Sequence, residues 1–304
     1  MSEPGPARIR NALTVDVEDY FQVQAFATAI PRARWDTIPR RVEANVERIL
    51  EQFAAARARA TFFTLGWVAE RHPAMVRRIA AAGHELASHG YDHRRVDQLS
   101  PVAFRNDVGR TKRLIEDIAG VPVIGYRAPT FSIGRGNFWA FGLLEREGYR
   151  YSSSINPIRH DLYGMPDAPR FPFRPGAGEL WELPMTTVRL GRWNLPCSGG
   201  GYFRLLPYRL YRLGLERVNR VERAPGIFYF HPWEIDVAQP RIRDCGRLAR
   251  FRHYVNIAAM PGRLERLLGD FAWDRMDRVF ATLLQLPAEP RSGTAAERPA
   301  VAAV

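Results

Sequence analysis

Short apolar runs alternate with amphipathic segments through the first two thirds of the chain. Runs rich in β-branched and aromatic residues predict strands at 11–17, 60–65, 85–88, 121–126, 149–152, 180–188 and 227–230. Apolar positions at helical spacing predict helices at 41–59, 73–82, 101–119, 137–147 and 208–222. This alternation predicts an α/β fold with a largely parallel sheet, either doubly wound or closed toward a barrel.

Polar side chains follow four of the predicted strands at the point where each strand ends. In a parallel barrel these carboxyl ends meet on one rim, where catalytic residues collect. The distribution therefore favours the barrel and predicts one shared site. The residues concerned are Asp16, Glu18, Asp19, His89, His93, Arg127 and His231.

His89 and His93 are four residues apart in the sequence His-Gly-Tyr-Asp-His. On a helical turn, positions i and i+4 share a face, so both imidazoles could reach one ion. An isolated pair of this kind is more often structural. The acidic segment 16–19 changes that balance, because two histidines and one carboxylate form a common catalytic metal set. A second carboxylate would be left to act as a base.

Arg127 and His231 each follow a predicted strand, in Tyr-Arg-Ala-Pro and Phe-Tyr-Phe-His-Pro. An arginine beside a catalytic carboxylate orients it. An imidazole among apolar strand residues suits a general acid that protonates a leaving amine. Taken alone, each residue also has an ordinary structural interpretation, and only their combination points to a site.

Taken together, these motifs resemble the polysaccharide deacetylases of the NodB-homology type, carbohydrate esterase family four. The resemblance covers about residues 11–235. It rests on four short motifs, which lie at 12–16, 88–93, 127–129 and 230–231. More narrowly, VDVEDYF, SGGGYFRLLPY, FYFHPWEID and FRHYVN resemble deacetylases associated with exosortase and exopolysaccharide gene clusters. In that subgroup a C-terminal extension follows the deacetylase domain.

The resemblance implies a distorted (β/α) barrel and an organisation into four parts. These are an N-terminal tail at 1–10, a deacetylase barrel at 11–239, a C-terminal extension packed on the barrel at 240–287, and a disordered tail at 288–304. It also implies a hydrolase that removes N-acetyl groups from amino sugars of an exopolysaccharide. Partners would be the N-acetylated polysaccharide and the exopolysaccharide biosynthesis machinery.

The same resemblance implies residue roles. Asp16 would be the base, Arg127 would orient it, and His231 would be the general acid. His89, His93 and a carboxylate would hold a divalent metal, expected to be zinc or another transition metal. The substrate-binding candidates are Tyr20, Pro129, Tyr202 and Trp233.

The sequence departs from the family pattern in the first motif. The family has adjacent aspartates, whereas here Asp16 is followed by Val17, Glu18 and Asp19. The expected metal ligand is Asp19, with Glu18 as the alternative. The aspartate that tunes the family's histidine has no clear counterpart either, and Glu182 is a candidate by position.

Two other functions remain open on the sequence. One is hydrolysis of a different small or cyclic amide on the same barrel. The other is a catalytically silent carbohydrate-binding protein of an export system.

The chain is basic, and whether this charge indicates a nucleic-acid partner depends on how the basic residues are distributed along the sequence. The 44 basic and 32 acidic residues leave a net charge of +12, and Lys112 is the only lysine. The arginines are scattered without a dense block, so nucleic acid is not an expected partner. The chain has no apolar run of membrane-spanning length and no apolar leader. We therefore expect a cytoplasmic protein, with peripheral membrane association left open.

Overall fold

The computed structural model of the chain describes residues 8–287. The predicted tail at 288–304 and residues 1–7 of the predicted N-terminal tail lie outside the described residues. The strands are β1 (Arg10–Val17), β2 (Thr61–Thr64), β3 (Glu85–Ser88), β4 (Gly125–Tyr126), β5 (Tyr151–Ser152), β6 (Trp181–Glu182), β7 (Thr187–Leu190), β8 (Trp193–Pro196), β9 (Ile227–Phe230) and β10 (Ala272–Asp274).

The α-helices lie between these strands and after them. They are α1 (Val42–Ala55), α2 (Gly66–Arg71), α3 (Pro73–Ala81), α4 (Pro101–Ala119), α5 (Trp139–Arg146), α6 (Gly200–Leu205), α7 (Tyr208–Arg220), α8 (Arg247–Tyr254), α9 (Met260–Asp270) and α10 (Met276–Val279). Short 3-10 helices occur at Gln24–Phe26, Arg32–Thr37, Val96–Gln98, Pro129–Phe131, Arg135–Asn137, Pro232–Ile235 and Ile257–Ala259.

Eight of the described strands form one curled parallel sheet. The order β10-β1-β2-β3-β4-β5-β6 runs around the curve, and β9 pairs with the other edge of β1. The central strand β1 is buried at seven of its eight positions, as expected for a strand covered on both faces. The sheet with its surrounding helices is a distorted (β/α) barrel, which confirms the predicted fold class.

Local chemistry explains why the predicted elements form where they do. The Ser100 hydroxyl accepts a hydrogen bond from the Ala103 amide (3.2 Å) and so caps α4. At the other end of α4, Gly120 has a left-handed backbone (φ 66°). The strand predicted at 121–126 is shorter, because only two of its residues pair with a neighbouring strand.

The segment 180–188 was predicted as one strand and is divided between two sheets. Its first part is β6 of the barrel sheet, whereas β7 forms a separate antiparallel hairpin with β8. Side-chain periodicity carries no information on which partner a strand pairs with, so the sequence did not distinguish the two.

The segment after residue 240 contributes a strand to the barrel sheet. Strand β10 pairs with the first half of β1, with Arg10 opposite Ala272 and Ala12 opposite Asp274. The domain boundary at 239/240 stays a prediction. Within residues 8–287, no helix combines the length and apolar character needed to cross a membrane.

Candidate active site

The carboxyl ends of the parallel strands open into one cavity of about 380 Å³. Asp16 lies near the end of β1, His89 follows β3, and His231 follows β9. These three residues line the cavity together with Glu18 and His93. The structure thus brings together groups that come from distant parts of the sequence.

Asp16 is held by a buried arginine. Arg127 Nη1 donates to Asp16 Oδ1 (2.7 Å) and to Thr14 Oγ1 (2.8 Å). The Ser153 carbonyl and hydroxyl accept from Arg127 Nε and Nη2, both at 3.1 Å. The Arg127 side chain is fully buried and its guanidinium lies over the Phe63 ring. These contacts leave the carboxylate little freedom to turn.

His89 presents one ring nitrogen to the cavity. Its Nδ1 lies 2.8 Å from the Arg127 carbonyl, which can only accept, so Nδ1 carries the proton and Nε2 has a free lone pair. Burial lowers the pKa of His89 to about 4. A neutral imidazole fixed by a backbone carbonyl is the form that binds a metal.

His93 reaches the same place by a route other than the helical turn expected from the sequence. Residues 89–95 form a loop in which Gly90 and His93 have positive φ values of 73° and 59°. The two imidazole rings lie 5.5 Å apart. The helical-turn prediction is wrong, because left-handed residues bend this loop and bring the rings together.

Glu18 completes a cluster with these two histidines. One potential ligand atom from each of Glu18, His89 and His93 lies within 4.8 Å of the others. The Glu18 Oε2 atom is buried and has no hydrogen-bond partner in the described part of the chain, yet His93 Nε2 is only 2.9 Å away. Two ligands bound to one ion at about 2.1 Å lie about 3.0 to 3.4 Å apart, so this short separation is close to that of two ligands of one ion. The three residues therefore fit a divalent metal.

The charge state of Glu18 agrees with this fit. Burial opposes ionisation, but the imidazoles of His93 and His231 lower the pKa of Glu18 to about 2. The side chain is a carboxylate at neutral pH, which is the form that binds metals.

Asp19 lies elsewhere, although the sequence favoured it as the metal ligand. Its Oδ2 accepts from the amides of Arg41 (2.7 Å) and Val42 (3.0 Å) at the start of α1, and its Oδ1 accepts from the Tyr20 amide (2.9 Å). Oδ2 thus caps the start of α1, and Oδ1 is occupied by the amide of the next residue. The geometry corrects the preferred ligand to Glu18, and metal binding itself stays a prediction.

His231 is held by a carboxylate that the sequence analysis missed. Its Nδ1 lies 2.8 Å from Glu234 Oε1, and Arg204 Nε donates to Glu234 Oε2 (2.6 Å). Burial opposes protonation, but the charges of Glu18 and Glu234 raise the pKa of His231 to about 9. The imidazole is therefore protonated at neutral pH and can donate a proton.

Arg204 connects this histidine to the C-terminal segment. It is buried, and its guanidinium donates to the carbonyls of Arg252 (3.1 Å), His253 (2.8 Å) and Val255 (2.7 Å). The support of His231 thus extends to the end of α8, beyond the predicted barrel domain.

Glu182, the candidate partner of His231 by position, lies beside a different loop. Its Oε1 accepts from the amides of Ser154 and Ile155, both at 2.8 Å. Burial raises the pKa of Glu182 to about 7. Glu234 replaces it as the partner of His231. The i, i+3 spacing in His-Pro-Trp-Glu was the sequence signal that could have found it.

Aromatic rings form the wall beside His231. The His231 ring stacks on Trp233 (5.1 Å between centroids), which stacks on His253 (4.0 Å). Trp233 and Tyr202 line the cavity, as expected of substrate-binding residues, whereas Tyr20 and Pro129 are buried and are not among its lining residues. Contact of any of the four with a substrate stays a prediction.

Strained backbone lies in the loop after β4. Thr130 and Phe131 have φ values of 57° and 48°, and both line the cavity. Left-handed conformations are costly for such residues and often occur at functional sites. The surrounding structure therefore holds this loop in an unfavourable conformation beside the candidate site.

Comparison with known proteins gives a family match over part of the chain. Residues 34–140 match the polysaccharide deacetylase family model, and residues 153–281 match a model described as a domain of unknown function (DUF3473). Among relatives, the peptidoglycan deacetylase-like protein FGM2 of Gibberella zeae is 31% identical over 116 residues, 38% of this chain and 33% of that protein.

A peptidoglycan deacetylase of Helicobacter pylori is 24% identical over 195 residues, 62% of this chain and 60% of that protein. The chain thus covers less than two thirds of the length of both relatives. A crystal structure from Mycobacterium smegmatis, provisionally described as a polysaccharide deacetylase, has the same fold with a TM-score of 0.59. It is 20% identical, and the match covers 98% of each chain. Residues 34–140 are therefore similar to the polysaccharide deacetylase family, and the chain shares the fold of the solved structure.

Proposed function

We propose that this protein is a metal-dependent N-deacetylase of amino sugars in a polysaccharide. The observation that carries the proposal is the convergence of three units on one cavity. They are the Asp16–Arg127 pair, the His231–Glu234 pair, and the cluster of Glu18 with His89 and His93. Amide hydrolysis needs a base, an acid and a group that polarises the carbonyl, and each unit suits one of these tasks.

Glu18, His89 and His93 would hold the metal, for which we propose zinc. Bound there, a divalent ion supplies Lewis acidity toward the acetyl carbonyl. The donor set of two imidazoles and a carboxylate suits zinc and several other transition metals.

Asp16 takes a proton from the attacking water. Arg127 holds Oδ1, and no hydrogen bond is made to Asp16 Oδ2 by residues 8–287, so Oδ2 is available as the proton acceptor. As the water oxygen adds to the acetyl carbon, its proton moves to this carboxylate.

His231 supplies the proton that releases the amine. The carbon–nitrogen bond of the amide breaks as the nitrogen takes a proton from the imidazolium. The products are acetate and the free amino sugar. Glu234 keeps the imidazole oriented and protonated before the step.

For the polymer, we propose an exopolysaccharide. The support is the sequence resemblance of VDVEDYF, SGGGYFRLLPY, FYFHPWEID and FRHYVN to deacetylases of exopolysaccharide gene clusters. Tyr202 lines the cavity and is partly exposed, so its ring suits stacking on a sugar ring.

Acetate release tests the proposal. The protein is assayed on N-acetylglucosamine oligomers and on small cyclic amides, with zinc added and with a chelator. We expect release from the oligomers only, abolished by the chelator. His89→Ala should lose both metal and turnover, whereas His72→Ala, whose ring contacts Glu43 outside the cavity, should lose neither. Full turnover by a metal-free protein would overturn the proposal.

A further inference from the structure

Large apolar side chains surround the mouth of the cavity and face solvent. Leu162, Leu205, Leu248 and Phe251 line it while between 41% and 57% exposed. They come from three separate parts of the chain, the loop after β5, α6 and α8. Apolar groups gathered at the rim of a pocket mark a surface that contacts something other than water.

The β7–β8 hairpin extends this surface. Leu190, Trp193 and Leu195 are all exposed on it. Asn194 Nδ2 donates to the carbonyls of Pro157 (2.9 Å) and Pro166 (3.2 Å). These carbonyls flank the loop that carries Leu162, so the hairpin is fastened beside the cavity mouth. We call the hairpin, this loop and the exposed side of α8 the mouth face.

The mouth face is basic as well as apolar. Arg159 and Arg192 lie over the Trp193 ring, at 5.6 and 4.9 Å from its centroid. Arg247 and Arg250 are exposed on α8. Within residues 8–287, none of these four arginines has a carboxylate within 4 Å, whereas Arg252 pairs with Asp161 (2.9 Å). Four positive charges are therefore left without a protein counterion.

We propose that the mouth face docks on an anionic membrane surface. The inference rests on the proposed function, because it places the deacetylase cavity against the bilayer, where a lipid-carried saccharide would be presented. Arginines attract anionic headgroups. Tryptophan with leucine and phenylalanine inserts at the interface between headgroups and acyl chains.

The apolar residues favour a membrane over a soluble polyanion. A polyanion would satisfy the arginines but leave the leucines, Trp193 and Phe251 in water. A bilayer satisfies both at once, with the charges at headgroup level and the apolar side chains below it.

Vesicle sedimentation tests the proposal. The full chain is mixed with vesicles of phosphatidylcholine alone or with about one third phosphatidylglycerol, a mixture that supplies the negative surface charge. We expect sedimentation with the anionic vesicles only, weakened by high salt. The triple variant Arg159→Ser, Arg192→Ser, Trp193→Ser should bind at least about ten-fold more weakly. These residues lie outside the cavity lining, so turnover of soluble oligomers should stay unchanged.

The matched control removes two arginines and one exposed apolar residue from other surfaces. Arg77→Ser, Arg146→Ser and Val102→Ser change exposed positions on α3, α5 and α4, and this control should bind vesicles as wild type does. Equal binding by the hairpin variant and wild type would overturn the proposal. So would retention on a soluble sulfated polysaccharide without vesicle binding. Vesicle binding without acetate release would instead refute the proposed function and leave the docking intact.

Discussion

The two sides of the cavity are supported differently. On the core side, Asp16, His89 and Arg127 are held by neighbouring strands and by loops of the barrel. On the C-terminal side, His231 is held by Glu234, which is held by Arg204, which is held by carbonyls at the end of α8. The positions of Asp16 and His89 thus depend on the barrel strands and loops, whereas the position of His231 also depends on the segment that includes α8.

The family models divide the chain in a similar way. The deacetylase model matches 34–140, which carries His89, His93 and Arg127, whereas the model of unknown function matches 153–281, which carries Arg204 and His231. The second region thus supplies the contacts that hold His231 in place.

The largest expected effect is on the core side. Asp16→Asn keeps the shape of the side chain but removes the proton acceptor, so kcat should fall by about 10²–10⁴-fold. Metal content, measured by elemental analysis, should not change. The exposed Asp36, paired with Arg71, is the control, and Asp36→Asn should leave kcat unaltered. A similar kcat for both variants would remove Asp16 from the proposed mechanism.

Arg204→Ala should produce the largest loss of stability on the C-terminal side. It leaves Glu234 buried with a charge that Arg204 no longer balances, which costs about 3–5 kcal/mol in the free energy of unfolding. Denaturant unfolding measures this loss. Arg212→Ala removes an exposed pair with Glu216 and should cost far less, because solvent screens an exposed ion pair. Equal losses would show that Arg204 does not anchor this side.

Variants of Glu18 and Asp19 distinguish metal binding from helix capping. Glu18→Gln should weaken metal affinity by at least about ten-fold, because a charged ligand is lost. Asp19→Ala should retain the metal but lower the free energy of unfolding by about 0.5–2 kcal/mol, because the start of α1 loses a cap. Metal titration and denaturant unfolding are done on both variants. Metal loss in Asp19→Ala alone would reverse the assignment of the ligand.

Glu234→Gln tests whether the charge of Glu234 raises the pKa of His231, and the pH dependence of kcat is the measurement. The pKa of His231 is raised to about 9, so the protonated acid is present below that pH and is lost above it. Removing the Glu234 charge lowers this pKa, and the alkaline limb of the kcat profile should move to lower pH. Glu182→Gln, which changes a carboxylate without contact to His231, should leave the limb in place. An unmoved limb in Glu234→Gln would contradict the pairing.

The smallest expected effect concerns strain on the core side. Thr130 has a φ of 57°, which asparagine tolerates better than a β-branched residue. Thr130→Asn should therefore raise the free energy of unfolding by up to about 1 kcal/mol. Denaturant unfolding measures the change. A clear loss of stability would mean that Thr130 makes contacts worth more than the strain.

Much of the core side was accessible from the sequence. Alternating elements predicted the parallel sheet, and polar residues at strand ends predicted which side chains would meet, because carboxyl ends of parallel strands share one rim. Asp16, His89, His93, Arg127 and His231 all line or adjoin the cavity as expected.

The C-terminal side was less accessible. Its key contacts join Arg204 to backbone carbonyls about 50 residues away. Every residue has a backbone carbonyl, so the amino-acid types give no sign of which carbonyl accepts the hydrogen bond. Glu182 was chosen by position in the chain, but position does not show which loop lies beside His231.

The sequence by itself predicted a parallel α/β fold, favoured the barrel and identified the residue types at its rim, because these follow from local periodicity and strand direction. Only the tertiary structure showed that Glu18, and not Asp19, lies beside His89 and His93. It also identified Glu234 as the partner of His231 and connected that partner to α8. Adjacent carboxylates have the same chemistry. Which one binds a metal and which one caps a helix depends on what the fold brings beside each.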